Sequence, residues 1–277
     1  MTKRLDWRWG ASSCILGGWE NHTKESFAQY QRCGISYAEL SVTKEEGLKQ
    51  LDFFANPERI AGAAAENGLE LTSFHLPFAL DISFSNPDAE MRRHAVEVTK
   101  ACILSAKRIG IPTMVLHPSR GYFELYDDRE VLMKQCLTHV GEIYEFCESL
   151  GLTLALENMT GGGVCHVPQE MIRFLRAFPN MGVCFDTNHP VQLTPEAYLD
   201  ELLNAGMQGR IRAVHVSDYD LQKEQHWMPG EGQINWPAVL HKLEELDFSG
   251  VFMYEVSRKC TLLQVSENFP RLITDTL

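Results

Sequence analysis

Groups able to bind a metal or move a proton recur at one place in this sequence, the C-terminal end of a short apolar run. They are His75 in LELTSFH, His117 in TMVLH, Glu157 in LTLALE, Asp186 in MGVCFD, His215 in IRAVHVSD and Glu255 in GVFMYEV, with Glu39 inside YAELSV. Carboxylates mixed with imidazoles suit a divalent cation such as Mn2+, Mg2+, Co2+ or Zn2+. Buried carboxylates gathered in one place repel each other unless a cation or a partner compensates. Glu157, Asp186, His215 and Glu255 are therefore expected to hold a metal. His75 and His117 admit two readings, a hydrogen-bonded packing residue or a further ligand.

The runs that carry these groups read as strands: residues 7–13, 37–42, 69–75, 113–117, 152–157, 181–186, 211–218 and 250–256. Alternate residues of a strand face opposite sides. Leu152, Leu154 and Leu156 oppose Thr153, Ala155 and Glu157; Val183 and Phe185 oppose Cys184 and Asp186; Val214 and Val216 oppose Ala213 and His215. Likewise Met114 and Leu116 oppose Val115 and His117, and Phe252 and Tyr254 oppose Met253 and Glu255. One face is large and apolar, as under a layer of helices. The other is small and ends in a polar group.

Helices are expected between the strands. Asn86 and Pro87 are placed as N-cap and first residue of a long helix ending at Gly110, and Thr194 and Pro195 as the same pair before EAYLDELLNAG. A helix from about Arg129 stops at Gly151 and one near Glu58 stops at Gly68, each glycine suited to a left-handed cap. Asn235 is expected to cap another helix, and the PGEG turn before Gln233 to give a flexible backbone. Eight strands alternating with helices predict an α/β fold, a single (β/α)8 TIM barrel spanning residues 1–277, with the polar ends gathered at the catalytic mouth. An open doubly wound sheet is disfavoured because no G-x-G-x-x-G follows the first strand.

The composition bounds the function classes. A chain of 277 residues with 44% hydrophobic residues can bury a large core. A net charge of −12 with no Lys/Arg run makes nucleic acid an unlikely partner. The cysteines are scattered without a C-x-x-C pair, the start lacks an apolar signal core, and no apolar run could span a bilayer, so a cytoplasmic protein with no membrane partner is expected. A homo-oligomer is left open.

The motifs SFHLPF, VLHPS, LALENM, VCFDTNH, AVHVSDYD, HWMPGEGQINW and MYEVS, in that order, resemble the xylose-isomerase-like TIM-barrel superfamily. It includes sugar isomerases and epimerases, inosose dehydratases and apurinic-site endonucleases. The resemblance makes Glu157, Asp186, His215 and Glu255 the shared metal set. It implies a metal-dependent isomerase or epimerase of a sugar, keto sugar or cyclitol, with proton transfer through a metal-bound enediolate and Glu157 and Glu255 as the acid/base pair. His75, His117, His189 and His226 are then substrate-binding residues, and Trp19 and Trp227 are candidates to cover the sugar's apolar face. Two alternatives stay open. One is a multi-zinc phosphodiesterase resembling the apurinic-site endonucleases, with His75, His117, His189, Glu224 and His226 as additional metal ligands. The other is an inosose-type dehydratase. A non-catalytic sugar-binding barrel is disfavoured, because binding alone needs no paired acid and base. His22, His94, His139, His166 and His241 are read as surface or packing residues.

Overall fold

In the computed structural model, which describes residues 6–17 and 21–274, eight parallel strands close into a barrel. They are β1 (Arg8–Ser12), β2 (Tyr37–Ser41), β3 (Glu70–His75), β4 (Thr113–Leu116), β5 (Thr153–Glu157), β6 (Gly182–Asp186), β7 (Ile211–Val216) and β8 (Val251–Tyr254). Between and after them lie α1 (Lys24–Arg32), α2 (Glu45–Gln50), α3 (Glu58–Ala65), α4 (Ala89–Arg108), α5 (Arg129–Ser149), α6 (Pro168–Ala177), α7 (Pro195–Asn204), α8 (Trp236–Glu245) and α9 (Leu262–Ile273). Every expected strand is present, shortened by a residue or two at its ends. Among the described residues no helix is long and apolar enough to cross a membrane, and all eight cysteines are free thiols.

The alternation read from the sequence sorts the side chains as a barrel requires. Leu154, Leu156, Val183, Phe185, Val214, Val216, Phe252 and Tyr254 are buried in the main core, which the helices share. Val115, Ala155, Cys184 and Ala213 form a separate cluster of buried small side chains, the opposite faces of their strands. Small residues there leave room at the next level up for the polar strand ends.

Register then decides which polar ends are neighbours. His75 pairs with Val115, Glu157 with Cys184, Asp186 with His215, and His215 with Met253. Asp186 is therefore beside His215, and Glu255 emerges two residues beyond Met253. A register shift at Ala38/Glu39 sets Ser73, rather than Thr72, against Glu39, and a second at Val183/Cys184 sets Ala213 against Cys184. Such shifts re-aim side chains next to functional sites.

The helix ends follow their capping residues, with one correction. Thr194 and Asn235 cap α7 and α8 through side-chain bonds to the amides of Ala197 and Ala238. Gly68, Gly110 and Gly151 take the left-handed conformation past their helices. The long helix α4, however, is capped by Asp88 and not by Asn86: Asp88 Oδ1 accepts from the amides of Glu90 and Met91, at 2.7 and 3.3 Å. Asn86 Oδ1 instead accepts from the Asp88 amide at 2.9 Å, a turn that delivers the chain to its cap. A full negative charge at the positive end of the helix favours Asp88 over the neutral amide upstream.

Candidate functional site

The strand ends bring Glu157, Asp186, His215 and Glu255 to one point at the C-terminal mouth, with one ligand-type atom from each within 4.8 Å of the others. The imidazole of His215 is its centre. Its Nδ1 lies 2.8 Å from Glu255 Oε2 and 3.4 Å from Glu157 Oε1, while its Nε2 lies 3.1 Å from Glu39 Oε2. Glu39 also accepts from the Ser73 hydroxyl at 2.9 Å. Glu39 was visible in the sequence only as a polar residue on its strand; the geometry gives it the task of holding His215.

Glu157 is the second hub. Its Oε2 lies 3.3 Å from His75 Nε2 and 3.1 Å from His117 Nε2, and its Oε1 lies 3.5 Å from His189 Nδ1. A further group forms at the outer edge of the mouth, where His189, Glu224 and His226 again offer atoms within 4.8 Å of each other. His226 Nε2 is 2.8 Å from Glu224 Oε1. His75 also falls into such a group, with Glu157 and His215, whereas His117 touches Glu157 without joining one.

The hydrogen bonds choose one nitrogen of each ring. His75 Nδ1 donates to Leu76 O at 3.0 Å, His189 Nδ1 to Asn158 O at 2.6 Å, and His226 Nδ1 to Glu255 O at 2.9 Å. A carbonyl can only accept, so these three Nδ1 atoms carry hydrogen, and each Nε2 is the position that a second proton or a metal ion would take. In His75 and His226 that nitrogen faces a carboxylate; in His215 both nitrogens do, Nδ1 toward Glu255 and Glu157 and Nε2 toward Glu39. Lone pair against lone pair is repulsive unless a cation or a proton lies between them. An outer carbonyl or carboxylate that orients each imidazole is the usual surrounding of metal-ligating histidines.

Two further observations fit a cation. Glu157 Oε2 and Asp186 Oδ2 are buried and accept no well-aligned hydrogen bond. Burial pushes the Asp186 carboxyl up to about 6, against the pull of His189 and with the charges of Glu157 and Glu255 adding to the rise. Burial would lower His75 and His226, but carboxylates reverse the effect: Glu157 foremost brings His75 to about 9, and Glu224 brings His226 to about 10. The carboxylates are the groups that a positive charge would neutralise, and a divalent ion at Glu157, Asp186, His215 and Glu255 would supply it.

Several supporting residues were not legible as such. Asn158 ties β5 to β6, its amide accepting from Asp186 N at 2.7 Å and donating to Asp186 O at 3.0 Å. Asp218 organises the loop that carries Glu224 and His226. Its carboxylate accepts from Gly230 N at 2.8 Å, Ile234 N at 3.2 Å and Trp236 Nε1 at 2.9 Å. The PGEG turn is thus pinned, contrary to the flexible backbone its composition suggested; a Cβ at Gly232 would collide with Asp218 and the Tyr219 carbonyl. His226 itself has a left-handed backbone, φ 54°. Trp227 bridges to Asp218 through its backbone. The adjoining cavity of about 300 Å3 is lined by Cys14, Gln225, His226, Glu255, Ser257 and Arg258 rather than by its indole. Trp19 lies outside the described residues. Of the histidines read as surface or packing residues, His22 is buried 2.9 Å from the Ser13 hydroxyl and His166 stands beside Glu170.

Comparison with known proteins adds four findings. A family described as xylose isomerase-like TIM barrel matches residues 27–272. An uncharacterised protein of Methanocaldococcus jannaschii is 30% identical over 189 residues, 65% of this chain and 62% of that one. The probable endonuclease 4 of Acholeplasma laidlawii is 28% identical over 193 residues, 63% and 64% of the two chains. The match therefore spans just under two-thirds of these curated relatives' length. Among solved structures, a D-tagatose 3-epimerase-like protein superposes over 97% of each chain with a TM-score of 0.78 and 22% identity, a likeness of fold.

Proposed function

Since the chain belongs to the xylose isomerase-like TIM barrel family, we propose that it is a divalent-metal-dependent isomerase or epimerase acting on a keto sugar. The observation that carries this reading is the convergence of Glu157 and Glu255, from β5 and β8, on His215 Nδ1 at 3.4 and 2.8 Å. Two carboxylates approaching one point from different strands can serve a substrate carbon from two sides.

The residues that would hold the ion are Glu157, Asp186, His215 and Glu255, and the ion would polarise a substrate carbonyl and acidify the adjacent C–H. The chain's own groups do the rest. One glutamate takes the proton from the carbon beside the carbonyl, leaving an enediolate, and the other returns a proton to the opposite face or to the neighbouring carbon. Return to the opposite face inverts the carbon; return to the neighbouring carbon moves the carbonyl. Burial opposes ionisation of Glu157, but His117 and His215 hold it well below the usual carboxylate range, as His215 does for Glu255. Glu255 is the more open of the two, its side chain 15% exposed against 1% for Glu157. In this reading His189 and His226 hold substrate oxygens and stabilise developing negative charge. The D-tagatose 3-epimerase-like neighbour supports sugar chemistry on this scaffold.

The test is proton exchange. Metal-loaded protein incubated with ketoses and ketose phosphates in D2O should place deuterium on the carbon next to the carbonyl, read by NMR. Absence of label in every sugar tried would overturn the proposal.

A second reading, multi-zinc hydrolysis of a phosphodiester, is favoured by one observation: the His189, Glu224 and His226 group, which a single-metal epimerase does not require. The endonuclease 4 relative points the same way. Elemental analysis separates the two. Three ions per chain, with cleavage of an abasic oligonucleotide at low salt, would replace the epimerase reading; one ion per chain would remove the alternative.

A further inference from the structure

A second cavity opens at the same mouth on the β2–β4 side, about 540 Å3 in volume and lined by Lys44, Phe78, Leu80, Asp81, Arg120 and Tyr122. The Phe78 ring lines it and also packs against His75 and His117 of the candidate site. Its centroid is 4.7 Å from that of His75 and 4.3 Å from that of His117, and the Arg120 guanidinium carbon lies 5.7 Å from the same ring. Arg120 is thus one aromatic ring away from the candidate site.

The Arg120 backbone is fastened in place. Its amide donates to Ser83 Oγ at 3.0 Å and Ser85 Oγ at 3.1 Å, and its carbonyl accepts from the same hydroxyls at 2.7 and 3.2 Å. Both serines are buried. The chain then continues through Gly121 and Tyr122, at φ 64° and 63°, so this is a shaped turn and not a slack loop. Its side chain and that of Lys44 form no ion pair among the described residues. Lys24, Arg108 and Arg173, by contrast, are paired with Glu66, Glu58 and Glu130. Asp81 shares the groove, and among the described residues it pairs with neither cation.

We propose that this groove is the subsite for the terminal phosphate of an open-chain sugar phosphate whose carbonyl end lies at Glu157 and Glu255. The assignment rests on the isomerase/epimerase reading and narrows its substrate to phosphate esters. A guanidinium presents a planar fork that matches a phosphate, and an ammonium adds a point charge. Both are needed locally, because a dianion approaching a chain of net charge −12 is otherwise repelled. Phe78 lies between the two ends, where the carbon chain must cross.

Binding of alditols tests this without turnover, because they have no carbonyl. Calorimetric titration of the metal-loaded protein with xylitol and xylitol 5-phosphate, and with glucitol and glucitol 6-phosphate, should show the esters bound at least about tenfold more tightly. Arg120→Gln and Lys44→Gln should each cut that preference by about tenfold and leave alditol affinity unchanged, with Arg120→Lys recovering part of it. The serines hold the backbone of Arg120 and not its side chain, so these variants keep the turn. No preference in the wild type, a preference that survives both substitutions together, or one abolished by Arg258→Gln instead would overturn the subsite. Ester selectivity without deuterium exchange in any ketose phosphate would instead sink the isomerase/epimerase reading and leave an anion subsite in place.

Discussion

At the scale of single residues, the site is built on two hubs, the His215 imidazole and the Glu157 carboxylate. Glu157→Gln keeps the shape of the side chain and removes its basicity, as does Glu255→Gln. Each should lower deuterium exchange by about a hundredfold or more, the usual contribution of a general acid or base, and full turnover in either variant would take that residue out of its role. Glu39 acts at one remove. Its carboxylate faces His215 Nε2 at 3.1 Å, on the opposite side of the ring from the Nδ1 atom that meets Glu157 and Glu255. Glu39→Gln should weaken metal affinity about 10- to 100-fold, as loss of an orienting partner does, with the folded chain otherwise intact. Competition titration with a chelating dye reads this directly, and unchanged affinity would reduce Glu39 to a packing role.

At the scale of elements, two buried carboxylates lock the loops that present the site. Asp218 gathers the amides of Gly230 and Ile234 and the Trp236 indole, connecting β7 to α8. Asp218→Ala strands these buried donors and should destabilise the fold by about 3 kcal/mol, read as a lower urea midpoint, while disordering His226. Glu170 does similar work between α5 and α6. It accepts from Arg129 at 2.7 Å and from Cys165 N at 2.8 Å, beside the chain that leaves β5. Burial would raise its pKa, but His166, Arg129 and the Cys165 amide outweigh it and bring the group from 4.5 to about 2. A folded pKa below the unfolded one stabilises the fold above the unfolded value, and that contribution is lost as pH falls from 4.5 toward 2. The contribution at neutral pH is roughly 3 kcal/mol. Glu170→Gln should therefore cost about that much at pH 7 and less than about half of it at pH 3, measured by urea unfolding at both pH values. A pH-independent difference would contradict this account.

At the scale of the whole molecule, barrel closure brings groups from the ends of β2 to β8 into contact, so the site and the fold share their stability. β1 pairs with β8 through Arg8 to Ala11 against Val251 to Tyr254, which completes the ring. A cation at the mouth links strands far apart in sequence and relieves repulsion among Glu157, Asp186 and Glu255. Stripping it with a chelator should lower the melting temperature, and excess metal at about a hundred times its dissociation constant should restore about 2.7 kcal/mol. A melting temperature indifferent to chelator and to added Mn2+, Mg2+, Co2+ and Zn2+ would argue against any metal at this mouth.

The amino-acid sequence by itself determined the strands, the inward and outward faces of each and the polar group at each end, because these depend on period-2 alternation and local capping. It determined the barrel through the count and alternation of elements. The resemblance in its motifs supplied the superfamily. The misplaced cap at Asn86 shows the limit of that reading: two capping residues in succession cannot be ranked without seeing which one reaches the helix amides. Only the tertiary structure decided that Glu39 belongs to His215, that Asn158 and Asp218 hold the mouth together, and that Arg120 stands one aromatic ring away from His75 and His117. Each of these depends on register and closure, which join residues as far apart as Glu39 and His215. A pattern along one strand carries no information about which strand will lie across the mouth from it.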